Sequence, residues 1–324
     1  MRILVTGAGG QLGTDLGRLL TRSAAATPGD RSAGLPGLSG WQQLARSELD
    51  VTDGTAVRSV VRDQARAAAG DLVVVNAAAW TDVDLAESRE EEAYAINATG
   101  VAHLAAACAA VSARLVHVST DYVFPGTDVR GGGRAPYEPD EAPSPRGAYG
   151  RTKLAGEQAV AAFLPSCGYV VRTAWLYRAT GDNFVTTMVR LEGERETVDV
   201  VADQRGSPTW SADLAAGLLD LVVTRPKPGV YHAVNAGSTT RFGLARAVFE
   251  ELGADPRRVR PTTADALARP APRPAYSVLS TRTWQAAGLR PLRPWREALR
   301  LAMAQRQGLC AGAAAGFGTA RPPG

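Results

Sequence analysis

Arg2-Ile3-Leu4-Val5-Thr6-Gly7-Ala8-Gly9-Gly10-Gln11-Leu12-Gly13 decides the fold. A short apolar run enters a loop with glycines at 7, 10 and 13. A stretch with one apolar helical face, Gln11 to Leu20, follows at once. This spacing predicts a buried strand, a tight turn and a helix whose first N–H groups point at phosphate. Gly7 permits the turn, Gly10 lets the backbone approach a pyrophosphate, and Gly13 allows close helix–strand packing. Gln11 and Leu12, which open the helix, join these glycines as candidate dinucleotide contacts. A glycine-rich turn with no ligand would carry the same letters, so the flanking pattern has to decide.

Outward from this loop, short β-branched runs alternate with Ala/Leu-rich helical stretches. Strands are predicted at Leu72 to Val75, Leu115 to Val118 and Tyr169 to Val171, with helices at Glu90 to Ala110 and Tyr149 to Phe163. Leu72-Val73-Val74-Val75 is apolar throughout, as a parallel strand buried on both faces should be. The alternation implies an α/β chain with a Rossmann-like, doubly wound parallel sheet. Residues 1–177 form the expected nucleotide-binding domain, completed by parts of 209–235. Beyond Tyr177 the elements shorten, with helices expected at Phe184 to Leu191, Ala212 to Val223, Leu244 to Leu252 and Trp295 to Ala304. Residues 178–307 are therefore read mainly as a smaller substrate-binding lobe over the carboxyl edge of the sheet. Two stretches look inserted, 24–40 and 128–134, and 308–324 reads as a disordered tail.

The second strand is expected over Trp41 to Leu44, ending Ala45-Arg46-Ser47. An acid there would suit a free ribose 2′-OH, whereas Arg46 suits a 2′-phosphate and tilts the cofactor toward NADPH; NADH stays open. A merely solvated Arg46 is the competing reading. Asp50 and Val51 follow a short expected strand where the adenine end would lie. Asn76-Ala77-Ala78-Ala79 follows the Val-rich strand, its small side chains allowing close approach of a ligand and Asn76 holding the turn.

Bulk properties narrow the class. The chain has 324 residues and a formal charge of +4 without any Lys/Arg run, which argues against a nucleic-acid partner. Cys108, Cys167 and Cys310 are widely spaced, so no disulfide framework or metal site is expected and a reduced, cytoplasmic setting fits. No charged leader is seen ahead of the first strand, and no apolar stretch is expected to span a bilayer.

Tyr149-Gly150-Arg151-Thr152-Lys153 places a Tyr and a Lys one helical turn apart. A cation beside a phenol favours phenolate and makes a proton donor useful near neutral pH. Thr120, at a strand end, can hydrogen-bond a carbonyl oxygen as charge develops on it. Together they imply a site that moves a hydride and a proton onto a carbonyl, with Lys153 also holding the nicotinamide ribose. Asn97 sits inside an otherwise Ala/Leu helix. It is either a packing residue or the cause of a kink that holds a proton-relaying water.

With these residues in view, the chain resembles the extended short-chain dehydrogenase/reductases, and among them the dTDP-4-dehydrorhamnose reductase family. The resemblance runs from Met1 to about Arg306. It includes Asn76 to Asp84, Ser119-Thr120-Asp121-Tyr122-Val123-Phe124, Tyr149 to Glu157, Arg172 to Tyr177, Asn183 to Val185, Asp203 to Thr209 and Arg273-Pro274. The Ser-Thr-Asp-Tyr-Val-Phe segment is its most specific part. By this resemblance Thr120, Tyr149 and Lys153 form a catalytic triad, and Tyr122 and Trp175 flank a sugar, with Thr81 and Val83 near it. Asn183, Gln204 and Ser207 would then face the nucleotide end. The implied reaction is reduction of a dTDP-4-dehydro-6-deoxy-L-mannose ketone to dTDP-L-rhamnose. A 4-ketoreductase for a related dTDP-4-keto-6-deoxyhexose and a non-catalytic nucleotide-binding regulator are the alternatives. Trp80 stands where the family often has Tyr or His. Some members pair through magnesium held by Glu residues, one in the first helix. Asp15 stands there in this chain, so a homodimer stays open and no metal is expected.

Overall fold

The computed structural model describes residues 1–25, 35–127, 135–267 and 269–315, with side chains as far as Gly308. The expected insertion at 128–134, most of the loop within 24–40 and the tail beyond Ala315 lie outside the described residues.

A six-stranded parallel sheet forms the frame. Its strands are β1 (Arg2–Thr6), β2 (Gly40–Leu44), β3 (Leu72–Asn76), β4 (Arg114–Thr120), β5 (Gly168–Thr173) and, at the edge, a strand at Gly229–His232. The order is β2-β1-β3-β4-β5 and then that edge strand. The chain leaves β1 first to one side and then to the other. This reversal opens a crevice at the carboxyl ends of β1 and β3. Thr6 lies in register with Asn76, Asn76 with His117, and Thr120 with Thr173. Alternate residues feed two layers. Ile3, Val5, Val73 and Val75 pack with Leu16, Leu214 and Leu218, whereas Leu4 and Val74 pack with Val57, Val61 and Leu104. Val73, Val74 and Val75 are fully buried, and each such burial contributes about 2 kcal/mol.

The flanking helices are α1 (Gln11–Ala25), α2 (Gly54–Ala67), α3 (Val83–Ser88), α4 (Glu90–Tyr94), α5 (Gly100–Ala110) and α6 (Ala148–Phe163). The single helix expected over Glu90 to Ala110 is real but changes pitch, with a π-helical segment Ala95–Thr99 between α4 and α5. Contrary to expectation, Glu90–Ala110 is long and apolar enough to span a bilayer by length and composition. It starts on Glu90, Glu91 and Glu92, and half of its apolar window is buried, as in a core helix.

The later elements are β6 (Leu176–Tyr177), α7 (Phe184–Glu194), β7 (Val198–Val201), β8 (Arg205–Gly206), β9 (Thr209–Trp210), α8 (Ser211–Thr224), β10 (the edge strand), β11 (Thr239–Thr240), α9 (Arg241–Glu251), β12 (Val259–Thr262), α10 (Arg282–Ala286) and α11 (Trp295–Ala315). Tyr177, Met188, Val200, Leu244, Phe249 and Leu299 belong to a separate apolar cluster within this part. Helix α11 runs past Ala304 into the stretch expected to be tail. No strand leads into Asp50; residues 45–53 form turns, with Glu48 and Leu49 N–H donating to the Ala45 carbonyl.

Candidate active site

The glycine loop has the geometry its spacing implies. Gly7 has φ +78°, and a Cβ there would lie 2.5 Å from the Ala78 nitrogen; one on Gly13 would lie 2.2 Å from the Gly7 carbonyl oxygen. A Cβ on Gly9 would meet nothing within 4 Å, and one on Gly10 only the Gly7 oxygen at 3.4 Å. Thus Gly7 and Gly13 are dictated by protein packing, while the Gly9–Gly10 side is an open cradle at the α1 N-terminus. Gln11 adds a buried side-chain oxygen with no partner among the described residues. These features fit a dinucleotide pyrophosphate.

The end of β2 abuts this loop, the Ala8 N–H donating to the Leu44 carbonyl at 3.1 Å. Arg46 is exposed and lies 3.7 Å from the Asp50 carboxylate. Asp50 also accepts from Thr52 N–H and hydroxyl, and these hydrogen bonds lower its pKa. Val51 is a core residue that packs on Gly100, so only its backbone remains for a ligand. Asn76 holds the turn as expected, accepting from Ala78 N–H at 3.1 Å and from the Thr6 hydroxyl at 2.7 Å.

Asn97 lies in the π-helical segment Ala95–Thr99, so the helix changes pitch at this residue. Its oxygen accepts from Trp80 N–H at 2.9 Å, while its amide nitrogen faces the Trp80 carbonyl and the Thr152 hydroxyl. The amide therefore ties the segment after β3 to α6.

Strand β4 delivers Thr120 and α6 delivers Tyr149 to one place. Thr120 is buried, donates to Asp121 Oδ1 at 3.1 Å and accepts from Tyr122 N–H at 3.2 Å. A Thr120 hydrogen bond to the Tyr149 phenol pulls that pKa down, but burial is the larger effect and raises it above the ordinary phenol value. The expected lowering by Lys153 is not found. Lys153 Nζ donates instead to the Val118 carbonyl at 2.7 Å and lies 3.4 Å from His117 Nε2. Burial brings the Lys153 pKa down to about 8, against the pull of Glu157. The rings of Tyr122 and Tyr149 meet edge-on at 5.5 Å.

Asp121, quoted in the motif but given no role, is a buried carboxylate whose pKa is pushed up to about 6, chiefly by burial. One of its oxygens has no partner among the described residues. Arg241 is a second omission. Its guanidinium lies 3.7 Å from the Trp175 ring centre and 5.2 Å from that of Phe184, with no carboxylate paired to it among the described residues. No local motif marked Arg241, because only the tertiary fold brings the start of α9 to Trp175. Trp175 itself has φ +45°, and Gly206 is required beside it, since a Cβ would lie 2.5 Å from the indole.

A cavity of about 880 Å³ is lined by Phe184, Gln204 and Arg241 with Arg146, Arg269 and Arg273. Two of these arginines, Arg241 and Arg273, act electrostatically on Tyr122. Val83 opens α3, where Asp84 accepts from Arg273 twice at 2.8 Å; Thr81 precedes it, exposed. Two expected nucleotide contacts lie differently. The Asn183 amide is consumed by the α7 capping box and by the Arg178 and Gly181 carbonyls. Ser207 is fully buried and does not line the cavity. No cluster of metal-ligating side chains occurs among the described residues.

Comparison with known proteins adds four findings. Residues 1–307 match the model of the RmlD substrate binding domain. The chain is 54% identical over 303 residues to a dTDP-4-dehydrorhamnose reductase of Streptomyces griseus, covering 92% of this chain and 91% of that protein. It is 48% identical over 298 residues to a dTDP-4-keto-6-deoxy-D-glucose reductase of Streptomyces niveus, covering 92% and 95%. The crystal structure of a dTDP-4-dehydrorhamnose reductase from Bacillus anthracis in complex with NADP superposes with a TM-score of 0.81 at 34% identity, covering 94% and 99%.

Proposed function

The chain belongs to the RmlD substrate binding domain family, and from that premise we propose that it reduces the C4 ketone of dTDP-4-dehydro-6-deoxy-L-mannose with NADPH, giving dTDP-L-rhamnose. One observation carries the reading: the Thr120 hydroxyl and the Tyr149 phenol converge beside Tyr122, which is under the electrostatic influence of Arg241 and Arg273. A bound NADPH would supply a hydride to C4. Gly7, Gly10, Gln11, Leu12 and Gly13 would hold its pyrophosphate, Asn76 to Ala79 would flank it, and Arg46 would meet a 2′-phosphate.

Tyr149 then gives its phenolic proton to the C4 oxygen as negative charge develops there, and Thr120 hydrogen-bonds that same oxygen. A desolvated phenol holds its proton until an alkoxide forms close by. Lys153, one helical turn along α6 from Tyr149, would in its ammonium form favour the phenolate left after transfer. Tyr122 and Trp175 offer ring faces to the hexose, with Thr81 and Val83 at its edge. Gln204 and Arg241, within 178–307, would face the nucleotide diphosphate, where a guanidinium with no carboxylate partner among the described residues suits an anion.

Retention of stereochemical control at C4 depends on this second part of the chain, and the Streptomyces niveus relative favours a related 4-keto-6-deoxyhexose as the second reading. The setting is cytoplasmic and the partner a small nucleotide sugar, with no role for nucleic acid or membrane; a homodimer is left for sedimentation to decide. Mixing the protein with NADPH and each dTDP-4-keto-6-deoxyhexose tests the reading. Nicotinamide oxidation with dTDP-L-rhamnose as product is expected. Absence of oxidation with any of these sugars would point to the non-catalytic regulator instead.

A further inference from the structure

A run of buried polar groups joins the end of β3 to Lys153. It begins at the Ala78 backbone N–H, which can only donate and lies 3.1 Å from Asn76 Oδ1. The Thr6 hydroxyl donates to the same oxygen at 2.7 Å. These donors fix the orientation of the amide, so its NH₂ end faces His117 Nδ1, 3.1 Å away. An amide NH₂ also only donates. Nδ1 must therefore accept, and the neutral ring carries its proton on Nε2. His117 is fully buried, and Nε2 lies 3.4 Å from Lys153 Nζ.

We propose that His117 is a positioning residue that presents an Nε2–H to Lys153 and so favours the neutral amine over the ammonium. An ammonium at this place sets N–H against N–H. A neutral amine instead turns its lone pair to the ring while still donating to the Val118 carbonyl at 2.7 Å. Burial acts in the same direction on Lys153, and burial together with Lys153 holds the His117 pKa well below its ordinary value, so the ring stays neutral.

The other titratable groups on the elements packed here are Tyr149, Arg151 and Glu157 on α6, Asp84 and Glu87 on α3, Glu90, Glu91, Glu92 and Tyr94 on α4, and His103 and Cys108 on α5. Asp121 and Tyr122 follow β4, and Arg172 lies on β5. Of these, Glu157 acts on Lys153 and opposes His117. Its carboxylate is already shared with Arg172 at 2.7 Å and the Ser119 hydroxyl at 2.5 Å. Arg151 and Glu90 are paired with each other on the exposed side of α6.

The inference rests on Lys153 assisting Tyr149, but its first test does not. Nitrogen NMR of histidine-labelled wild-type protein, with His117→Gln for assignment, should show a neutral His117 ring with Nδ1 bare and Nε2 protonated. A proton on Nδ1, or a charged ring near neutral pH, overturns the proposal.

The second test is kinetic. His117→Asn keeps an acceptor for Asn76 and removes the N–H facing Lys153. The alkaline limb of the kcat–pH profile should move up by about one unit, while KM for the dTDP sugar changes little. An unmoved limb in a folded, active variant overturns it. If the variant does not fold, the wild-type tautomer decides. Wild-type protein that reduces no keto sugar rejects the enzymatic reading alone and leaves the tautomer measurement standing.

Discussion

Asp84, on the first turn of α3, is gripped by Arg273, 189 residues further along the chain, through two hydrogen bonds of 2.8 Å. Arg269 and the Ala271 N–H converge on the same carboxylate. The pair fastens the loop that lines the cavity to the segment after β3. It holds the Asp84 pKa down to about 2, mainly through the Arg273 hydrogen bond. A lowered carboxylate pKa stabilises the fold above the unfolded value near 4, and the effect is lost as pH falls through about 2. Arg273→Lys cannot reproduce the fork. It should raise KM for the dTDP sugar by about tenfold with a smaller change in kcat. An unchanged KM would show that the cavity keeps its shape without this clamp.

The proton-donor role is tested by Tyr149→Phe. Removing a positioned general acid costs on the order of a hundredfold or more in kcat. The binding of NADPH, followed by fluorescence, should stay within about threefold, because the ring still packs edge-on against Tyr122. Turnover close to wild type would move the proton donor elsewhere, with Asp121 the nearest other acid.

How much of this was legible in the sequence depends on how local each signal is. The glycine loop and the Val-rich strand announce the sheet, because Gly7 and Gly13 are required by contacts within their own β–turn–α unit or with the adjacent strand end. The Glu90 to Ala110 helix was visible, and a kink at Asn97 was one reading of it, but the π-helical form of that break was not. That change of pitch arises where Asn97 reaches across to Trp80 and Thr152. Arg241 and Asp121 meet near Tyr122 only because the chain returns from α9 to the end of β4. Asn183 and Ser207 matched a family pattern, yet one is consumed in capping a helix and the other is buried away from the cavity.

Arg46 carries the cofactor preference. Its guanidinium is largely exposed and its contact with Asp50 is long, 3.7 Å, so little holds it against a competing phosphate. Arg46→Ala should weaken NADPH binding by about tenfold, the value of one charge-assisted contact, and leave NADH nearly unchanged. Titration of both nucleotides by calorimetry measures this. Equal losses for the two would remove Arg46 from 2′-phosphate recognition.

Asp121 should make the fold less stable as pH rises. Its pKa in the folded chain is about 6, against an ordinary 3.8, so the folded state keeps a proton that the unfolded state gives up. Stability is then greatest below about pH 4, declines as pH climbs through 6, and levels off above, a span of at most about 3 kcal/mol. Asp121→Asn imitates the protonated form. Thermal melts near pH 8 should show the variant more stable than wild type, with little difference near pH 4. Equal melting temperatures at the higher pH would mean that Arg241 and Ser277 already compensate the buried charge.

Glu157 stabilises the fold and acts on Lys153, and Glu157→Gln separates the two effects. The Arg172–Glu157 pair is almost completely buried, at 3% and 6% exposure, so neutralising one partner strands a guanidinium in the core. Breaking such a pair costs about 3–5 kcal/mol, readable as a lower urea midpoint with an unchanged slope. The lost carboxylate also removes the one charge that favours the Lys153 ammonium. The alkaline limb of kcat should therefore move to lower pH in Glu157→Gln, opposite to the shift expected for His117→Asn. If both variants moved the limb the same way, its source would be general loosening of α6 rather than electrostatics at Lys153.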